Sequence, residues 1–572
     1  TSALEKVPTV VSMTQSESES SAASQWVLPI NHDLESWNDF KTRTGFYSLQ
    51  QPVIYPLYTT RQKEAILLTW AEGNESAYHD TVYHEYLMNR WEKEVYPSMK
   101  LAVGFKEFWF SALHDGVVSF DEKSESYDSF RTGAFTPAPA SVKTEGYAVV
   151  LAESYFIGDG EFANNGWLQE LPHPVTKVVW DNYAALSPTT AKGLNVDYND
   201  MIEVEVEGNK LKLPVVIQPG MAEKVVAVEL GYGRTRAGTV GTDIGFNANI
   251  LQSVNGSFSQ WIYPNASVSR TDGTFEIVAT MEHHSLDNTL VKDMQFNRGI
   301  IREGTVEEFS SQPDFIQKER EEDKPTTIYK NYEYNGVKWA MSIDLNKCTG
   351  CSACVISCNV ENNIPVVGKD QVKVSREMQW IRIDRYYSGT PAEPKISLQP
   401  MLCQQCDDAP CENVCPVAAT THSPDGLNMM VYNRCIGTRY CSNNCPYKVR
   451  RFNFFNFRHH YEDSYYLEQP APMVSNPEVT VRARGVMEKC TFCVQRLVQA
   501  KQDAIQEGKE FTGAGLVTAC QEACPANAIT FGNANDPTSE VAKMREAPLG
   551  YYALEQLDIK PNVTYLAKLR NI

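Results

Sequence analysis

The residues with the plainest chemical content are fifteen cysteines, all lying between Cys348 and Cys524. They fall into four groups. The first is Cys348-x2-Cys351-x2-Cys354-x3-Cys358, and the second is Cys403-x2-Cys406-x4-Cys411-x3-Cys415-Pro416. The third is Cys435-x5-Cys441-x3-Cys445-Pro446, and the last joins Cys490-x2-Cys493 to Cys520-x3-Cys524-Pro525. Thiolates are soft ligands that favour iron–sulfur clusters or zinc. A run of Cys-x2-Cys-x2-Cys wraps a short loop around one face of a cubane, and a further Cys before Pro is aimed by the start of a helix at the other cluster of a pair. Zinc is the competing reading, but zinc ribbons pair Cys-x2-Cys with Cys-x2-Cys and do not normally use this three-plus-one run. Haem c is excluded because no Cys-x2-Cys-His occurs. An odd count in a long chain also argues against a disulfide scaffold.

The groups nest as an internal repeat, first with last and second with third, each pair expected to form a two-cluster ferredoxin module. The ligand exchange of such modules gives four sites. The first takes Cys348, Cys351, Cys354 and Cys524; the second takes Cys490, Cys493, Cys520 and Cys358. The third takes Cys403, Cys406, Cys411 and Cys445, leaving Cys435, Cys441 and Cys415 for the fourth. Thr438 lies midway in the x5 gap, where that last site lacks a thiolate. The expectation is three 4Fe–4S clusters and one 3Fe–4S cluster with its vacant corner facing Thr438. The alternative is a 4Fe cluster with an oxygen ligand there. Loss of one iron and one thiolate changes the charge of the site, so the fourth cluster is expected to have the high potential suited to accepting electrons from a quinol.

The elements that must position these ligands come from a chain of 572 residues, long enough for two or more domains. The formal net charge of −19 argues against nucleic-acid binding. It is compatible with a basic redox partner as well as with simple solubility. No run approaches the ~18–20 apolar residues of a membrane-spanning helix. The chain opens on Thr1-Ser2-Ala3 with no initiating Met or signal-type apolar core, and reads as processed or as the later part of something longer.

Composition divides the chain. Residues 1–25 contain SMTQSESESSAASQ and read as a flexible lead-in. Residues 26–146 are mixed, with a helix expected over VYHEYLMNRWEKEVYPSMK. Residues 147–310 alternate as strands, in MIEVEVEG, KLKLPVVIQPG and EKVVAVELGYG, and suggest a β-barrel or sandwich. A charged linker spans 311–336 and includes KEREEDKP. The Cys-rich domain covers 337–535, and residues 536–572, with Pro537, Pro548 and Pro561, are expected to form an arm over another surface.

The four cysteine groups, with CSNNCPYKVRRFNFFNF (Cys441 to Phe457) and MEKCTFCVQR (Met487 to Arg496), resemble the iron–sulfur subunits of the complex iron–sulfur molybdoenzyme family. Upstream, FANNGWLQELPHPVTKVVWDN (Phe162 to Asn182), GLNVDYNDMIEVEVEG (Gly193 to Gly208) and VIQPGMAEKVVAVELGYGRTRAGTVG (Val216 to Gly241) resemble the C-terminal β-barrel part of molybdopterin subunits. LPINHDLESWNDF (Leu28 to Phe40) and QPVIYP (Gln51 to Pro56) fit the segment before it. A molybdopterin-like half followed by a four-cluster half is similar to the iron–sulfur subunits of alternative complex III, a quinol-oxidising bacterial respiratory assembly. The fold class implied is α+β: a molybdopterin-oxidoreductase-like part with a C-terminal β-barrel domain, then a double two-cluster ferredoxin-like domain.

That resemblance implies an electron-transfer subunit on the periplasmic face of the inner membrane, held peripherally by an integral-membrane quinol-binding subunit beside a multihaem cytochrome c subunit. It implies no molybdopterin, since the large N-terminal portion of a catalytic subunit is absent and no cysteine precedes Cys348. The Gly231-Tyr232-Gly233-Arg234 turn, which would face a pterin in an active relative, is then retained for structure. A catalytic molybdopterin enzyme fused to its own ferredoxin is the alternative, and a purely scaffolding first half is compatible with the main reading. Lys448, Arg450, Arg451 and Arg458, set among Phe452, Phe454, Phe455 and Phe457, form either a docking face or packing around the cluster module. His459 and His460 could relay a proton or simply be exposed, and Asp407 and Asp408 read as loop carboxylates. No Ser-His-Asp pattern, P-loop or dinucleotide-binding fingerprint occurs.

Overall fold

The computed structural model describes residues 4–121, 146–255, 258–281, 299–322, 332–390, 393–457 and 471–571. Arg458, His459 and His460 lie outside the described residues. The chain forms two compact units, one comprising Thr1–Lys143 with Arg234–Thr242 and the other Thr144–Gly233 with Asp243–Ile572.

In the first unit, Tyr83, Leu87, Trp91 and Val95 recur every fourth residue and are all buried. This one-sided stripe makes the expected helix amphipathic. The segment runs as a helix over Val82–Arg90, a π-helical turn over Trp91–Val95 and a last turn over Tyr96–Met99. Its stripe packs with Phe108, Trp109 and Ala112 of the Phe105–Asp115 helix. Trp91 brings its indole N–H to Asp39 Oδ2 at 2.8 Å, so the polar edge of a fully buried ring has an acceptor. Asp39 stands in a three-stranded antiparallel sheet of Asn38–Arg43, Phe46–Gln50 and Val117–Ser119.

The lead-in differs from its expectation. Val11–Thr14 pairs in parallel with Trp26–Pro29. Glu19, at the start of a short helix capped by Ser18, accepts from the Arg234 guanidinium at 2.6 Å and from the Thr235 and Arg236 backbone N–H groups. The Arg234 hydrogen bond holds the Glu19 carboxyl down at about 2, against the opposing effect of burial. A Ser- and Glu-rich composition signals disorder only where the acids lack such a partner.

In the second unit, Tyr147–Ala152, Ala184–Leu186, Asp200–Val206, Asn209–Ile217, Val225–Glu229 and Ile262–Thr274 close a six-stranded barrel. Strict alternation in Asp200–Val206 sends Ile202, Val204 and Val206 inward, where they meet Leu213, Val215, Val226 and Val228. The same unit holds the cysteine-rich part. Its centre is a sheet of Ile529–Asn533, Trp339–Asp344, Val563–Leu566 and Gly550–Tyr551, in that order. Barrel and cysteine-rich part share one unit through buried polar contacts. Trp167 donates to the Ile364 carbonyl at 2.7 Å, and Arg385 donates to the Val175 carbonyl at 2.7 Å. The Glu170 carboxylate accepts from the Val367 and Gly368 backbone N–H groups.

Two further expectations are corrected. Within the supposed linker, Phe315–Glu322 is a helix whose Ile316 is fully buried and whose Arg320 pairs with Glu555 at 2.7 Å. The charges of KEREEDKP up to Glu322 therefore belong to the outer turns of an anchored element, while residues 323–331 lie outside the described residues. The final residues are no surface arm. Val563–Leu566 runs parallel to Trp339–Asp344 inside the sheet, with Val563 and Tyr565 fully buried. The prolines that suggested an arm all precede a four-residue strand too short to announce itself.

The Tyr565 hydroxyl donates to the Pro400 carbonyl at 2.9 Å, so its loss removes both a filled core position and a buried hydrogen bond. Tyr565→Ala is expected to cost about 3–5 kcal/mol, the range for emptying a buried aromatic site. Lys560→Ala, which breaks an ion pair with Asp408, is expected to cost little. Thermal unfolding followed by far-ultraviolet circular dichroism checks both.

Candidate metal centres

Each cysteine group is a loop that ends in a short helix, and the loops share one backbone device. The residue before the second ligand position takes a left-handed conformation in all four: Gly350 (φ 70°), Gln405 (φ 49°), Gly437 (φ 74°) and Phe492 (φ 54°). The next residues are Cys351, Cys406, Thr438 and Cys493. In the first and third loops the residue after that, Ser352 or Arg439, is also left-handed and starts a helix, Ala353–Glu361 or Tyr440–Asn444. Thr438 therefore stands, by backbone conformation, at the position of Cys351. Gln405 and Phe492 show that side chains can hold this φ, so at the two glycines it is space that matters. A Cβ on Gly350 would lie 2.3 Å from Leu398 Cδ1, and one on Gly437 would lie 2.5 Å from the Gly485 carbonyl oxygen.

The remote cysteines share a second device. Cys415-Pro416, Cys445-Pro446 and Cys524-Pro525 are each followed, three residues after the Cys, by a left-handed residue: Ala418, Lys448 or Asn527. The turn brings a backbone N–H back onto the sulfur. Ala419 donates to Cys415 Sγ at 3.2 Å and Ala528 donates to Cys524 Sγ at 3.3 Å.

The loops converge as follows. One cavity is walled by Cys348, Cys351, Cys354 and Cys524, with Ile343, Ile383 and Ile529 closing its apolar side. A second is walled by Cys358, Cys490, Cys493 and Cys520, under Met341, Trp380 and Phe492. A third is walled by Cys415, Cys435 and Cys441 together with Thr438, and Thr420, Met430 and Met487 complete it. Cys403, Cys406, Cys411 and Cys445 form the remaining group, each close enough to raise the pKa of Cys406 after burial has done so.

All fifteen thiols are unpaired, and most are buried. Burial, reinforced by neighbouring thiols, pushes Cys354, Cys358, Cys406 and Cys490 well up from the ordinary thiol value. Cys493 is pushed up to about 12 for the same reasons. At Cys415 burial is outweighed by backbone N–H groups from Val417, Thr420 and Ala419, and the thiol falls below its usual value. Buried thiols crowded in this way become thiolates only with strong positive charge among them, and a bound metal supplies it. Among the described residues no three Cys, His, Asp or Glu side chains close around a single point as one metal ion demands. The sulfurs ring cavities instead, and this donor set suits an all-thiolate iron–sulfur group better than a lone zinc.

Other residues singled out from the sequence resolve individually. Arg450 is buried and turned toward Cys411, and Arg451 pairs with Glu377 at 2.6 Å, so both belong to the packing around the cysteines. Lys448 and Phe455 remain exposed. Phe452 and Phe454 pack edge to face, with the Arg439 guanidinium over both rings. Asp407 and Asp408 pin the C-terminal segment through Asn562 and Lys560, and Asp407 also pairs with Lys338 before the central strand. At the Gly231-Tyr232-Gly233 turn, a Cβ on Gly231 would lie 2.7 Å from the Gly158 carbonyl oxygen and one on Gly233 would lie 2.1 Å from the Asn247 nitrogen. Close backbone packing accounts for both glycines. Lys489 escaped the sequence reading, although a cation directly before a ligand cysteine was a signal open to it.

Comparison with known proteins fits this geometry. Two models of a 4Fe-4S dicluster domain match residues 347–419 and 394–457. The chain is 40% identical to the menaquinone reductase iron-sulfur cluster-binding subunit of Nitratidesulfovibrio vulgaris, over 41% of this chain and 89% of that protein. It is 34% identical to the Hdr-like menaquinol oxidoreductase iron-sulfur subunit 1 of Archaeoglobus fulgidus, over 41% of this chain and 84% of that protein. It is 31% identical to the arsenate respiratory reductase iron-sulfur subunit of a Shewanella species, over 36% of this chain and 87% of that protein. Acetylene hydratase from Pelobacter acetylenicus superposes on 46% of this chain and 40% of its own at a TM-score of 0.33 and 15% identity, too low to decide a fold. Shared cysteine architecture and this level of identity, over nearly the whole of a relative, place the chain in the complex iron–sulfur molybdoenzyme family, among its iron–sulfur subunits.

Proposed function

We propose that this chain is the electron-transfer subunit of a quinol-oxidising respiratory complex of the alternative complex III type, holding three 4Fe–4S clusters and one 3Fe–4S cluster. The observation that carries the reading is the cavity walled by Cys415, Cys435 and Cys441, with Thr438 where the other loops carry a second cysteine. Iron–sulfur groups supply one-electron chemistry when bound, with potentials set by cluster type, charge and hydrogen bonds to sulfur. The chain's part is to hold and orient. Cys348, Cys351, Cys354 and Cys524 would ligate the first cluster, and Cys490, Cys493, Cys520 and Cys358 the second. Cys403, Cys406, Cys411 and Cys445 would ligate the third, and Cys435, Cys441 and Cys415 the fourth. The Ala419 and Ala528 N–H groups, the Thr518 hydroxyl against Cys520 and the Asn362 amide against Cys358 supply the hydrogen bonds to sulfur.

The names of the menaquinone and menaquinol relatives support a quinone-linked role. None of the described helices is long and apolar enough to cross a membrane. Attachment would therefore rest on an integral-membrane quinol-binding partner, with a multihaem cytochrome c subunit as a second partner, on the periplasmic face. The barrel half would serve as a cofactor-free scaffold, consistent with the backbone packed against Gly231 and Gly233.

Low-temperature EPR of the air-oxidised protein, with iron counted on the same sample, tests the cluster assignment. A near-stoichiometric 3Fe signal with about fifteen irons is expected, since three cubanes and one three-iron site add to that number. Silence with a full iron complement would give Thr438 or water a ligand role, and abundant zinc or molybdenum would overturn the reading. Thr438→Cys restores the fourth thiolate. It is expected to abolish the 3Fe signal and raise the iron content by about one per chain, as conversion to a cubane requires.

A further inference from the structure

Two buried arginines of this protein are paired with carboxylates. Arg482 meets Glu488 at 2.7 Å with both side chains almost wholly buried, and Arg302 meets Glu319 at 2.7 Å. Arg450 differs from these two. It is buried, yet no carboxylate among the described residues lies within ion-pair distance of it. Its Nη1 donates to Cys411 Sγ at 3.3 Å and to Asn428 Oδ1 at 3.4 Å. Its Nη2 donates to Thr420 Oγ1 at 2.8 Å and to Met430 Sδ at 3.3 Å. Thr420 and Met430 line the cavity of Cys415, Cys435 and Cys441, whereas Cys411 belongs to the neighbouring group. The guanidinium therefore touches both cysteine groups, and thiols of both act on its charge: Cys411, Cys403 and Cys445 of one, Cys441 of the other.

Lys489 makes a parallel case. Its side chain is fully buried, and Nζ donates to the Asn428 and Cys490 carbonyls, with no carboxylate partner among the described residues. It stands directly before Cys490 and shares the Cys490 carbonyl with the side-chain amide of Gln405, which lies between Cys403 and Cys406. A buried cation without a counter-ion is costly, and its desolvation has to be offset by some negative charge nearby. Among the described residues, the candidates at hand are the cysteine sulfurs and whatever they hold.

We propose that Arg450 and Lys489 are potential-setting residues: Arg450 a fixed positive charge shared by the third and fourth clusters, Lys489 one shared by the second and third. The proposal rests on the cluster assignment given above. Reduction adds one electron, hence one negative charge, to a cluster in a low-dielectric site. A fixed cation a few ångströms away stabilises the reduced form, and a hydrogen bond to a ligand sulfur acts in the same direction. Both clusters beside Arg450 are thereby held at higher potential than they would have beside a neutral residue, and the third cluster, between two cations, is raised twice. These are positioning residues for charge. Neither needs to gain or lose a proton for the effect.

Redox titration monitored by EPR on the intact, iron-loaded chain tests this. In Arg450→Gln, the midpoint potentials of the third and fourth clusters are expected to fall together while those of the first and second stay put. In Lys489→Gln, those of the second and third fall and the 3Fe potential is unchanged. Arg450→Lys keeps the charge and is expected to stay close to the wild-type potentials. Iron-replete Gln variants with unmoved potentials would overturn the proposal, as would equal shifts in all four clusters. If Arg450→Gln retains too little iron to titrate, Arg450→Lys decides: potentials that fall despite the retained charge would sink the idea. A wild-type protein without a 3Fe signal would count against the cluster assignment instead, and the paired shift on either side of residue 450 would still be readable.

Discussion

Two of the cavities in the cysteine-rich part take their walls from opposite ends of its sequence, and much of that part is built to meet this demand. Cys524 closes the ring begun by Cys348, and Cys358 closes the one begun by Cys490. Neither ring exists until strand Trp339–Asp344 lies beside Ile529–Asn533, which carries the Cys520–Cys524 segment to the Cys348 loop. That pairing is non-local and entropically expensive to form. The parallel strand Val563–Leu566 on the other edge of Trp339–Asp344 locks it from behind. In this light the chain end is part of the ligand scaffold, held by Asp407 and Asp408 from the loop between two ligands.

What could be read in the sequence was what local spacing encodes. Cysteine intervals, the strand alternation of Asp200–Val206 and the fourfold stripe of Tyr83, Leu87, Trp91 and Val95 depend only on neighbours along the chain. Thr438 stood out as well, because a gap is visible against a repeat. The left-handed turns at Gly350 and Gly437 now support its placement on backbone grounds separate from counting. What was hidden depends on distant partners. Glu19 is ordered by Arg234, and Phe315–Glu322 is fixed by Ile316 and by Arg320 reaching Glu555. The direction of Arg450 could not be read either, since a cation in a run of aromatics suits a docking face as well as an interior.

Electrostatics at two scales now separate. The chain as a whole carries a net charge of −19, a property of its surface that is screened within about 10 Å at moderate salt. Inside, two cations are buried near the cysteines. Arg450 and Lys489 stand beside the sulfurs without a carboxylate partner among the described residues, where screening is weak and a single charge outweighs many at the surface. An acidic exterior is therefore no guide to the potential at which the interior works.

The same separation explains why the barrel and the cysteine-rich part share a unit. A site whose reducibility depends on fixed charges has to exclude water and mobile ions, or the charges lose their reach. The wall on the barrel side is made of buried polar contacts: Trp167 to Ile364, Arg385 to Val175, Glu170 to the Val367 and Gly368 N–H groups. These satisfy backbone groups that would otherwise hold solvent. Burial lifts the Glu170 carboxyl to about 7 in spite of those two donors. The barrel half thus closes one side of the cysteine-rich part with polar groups that are themselves satisfied.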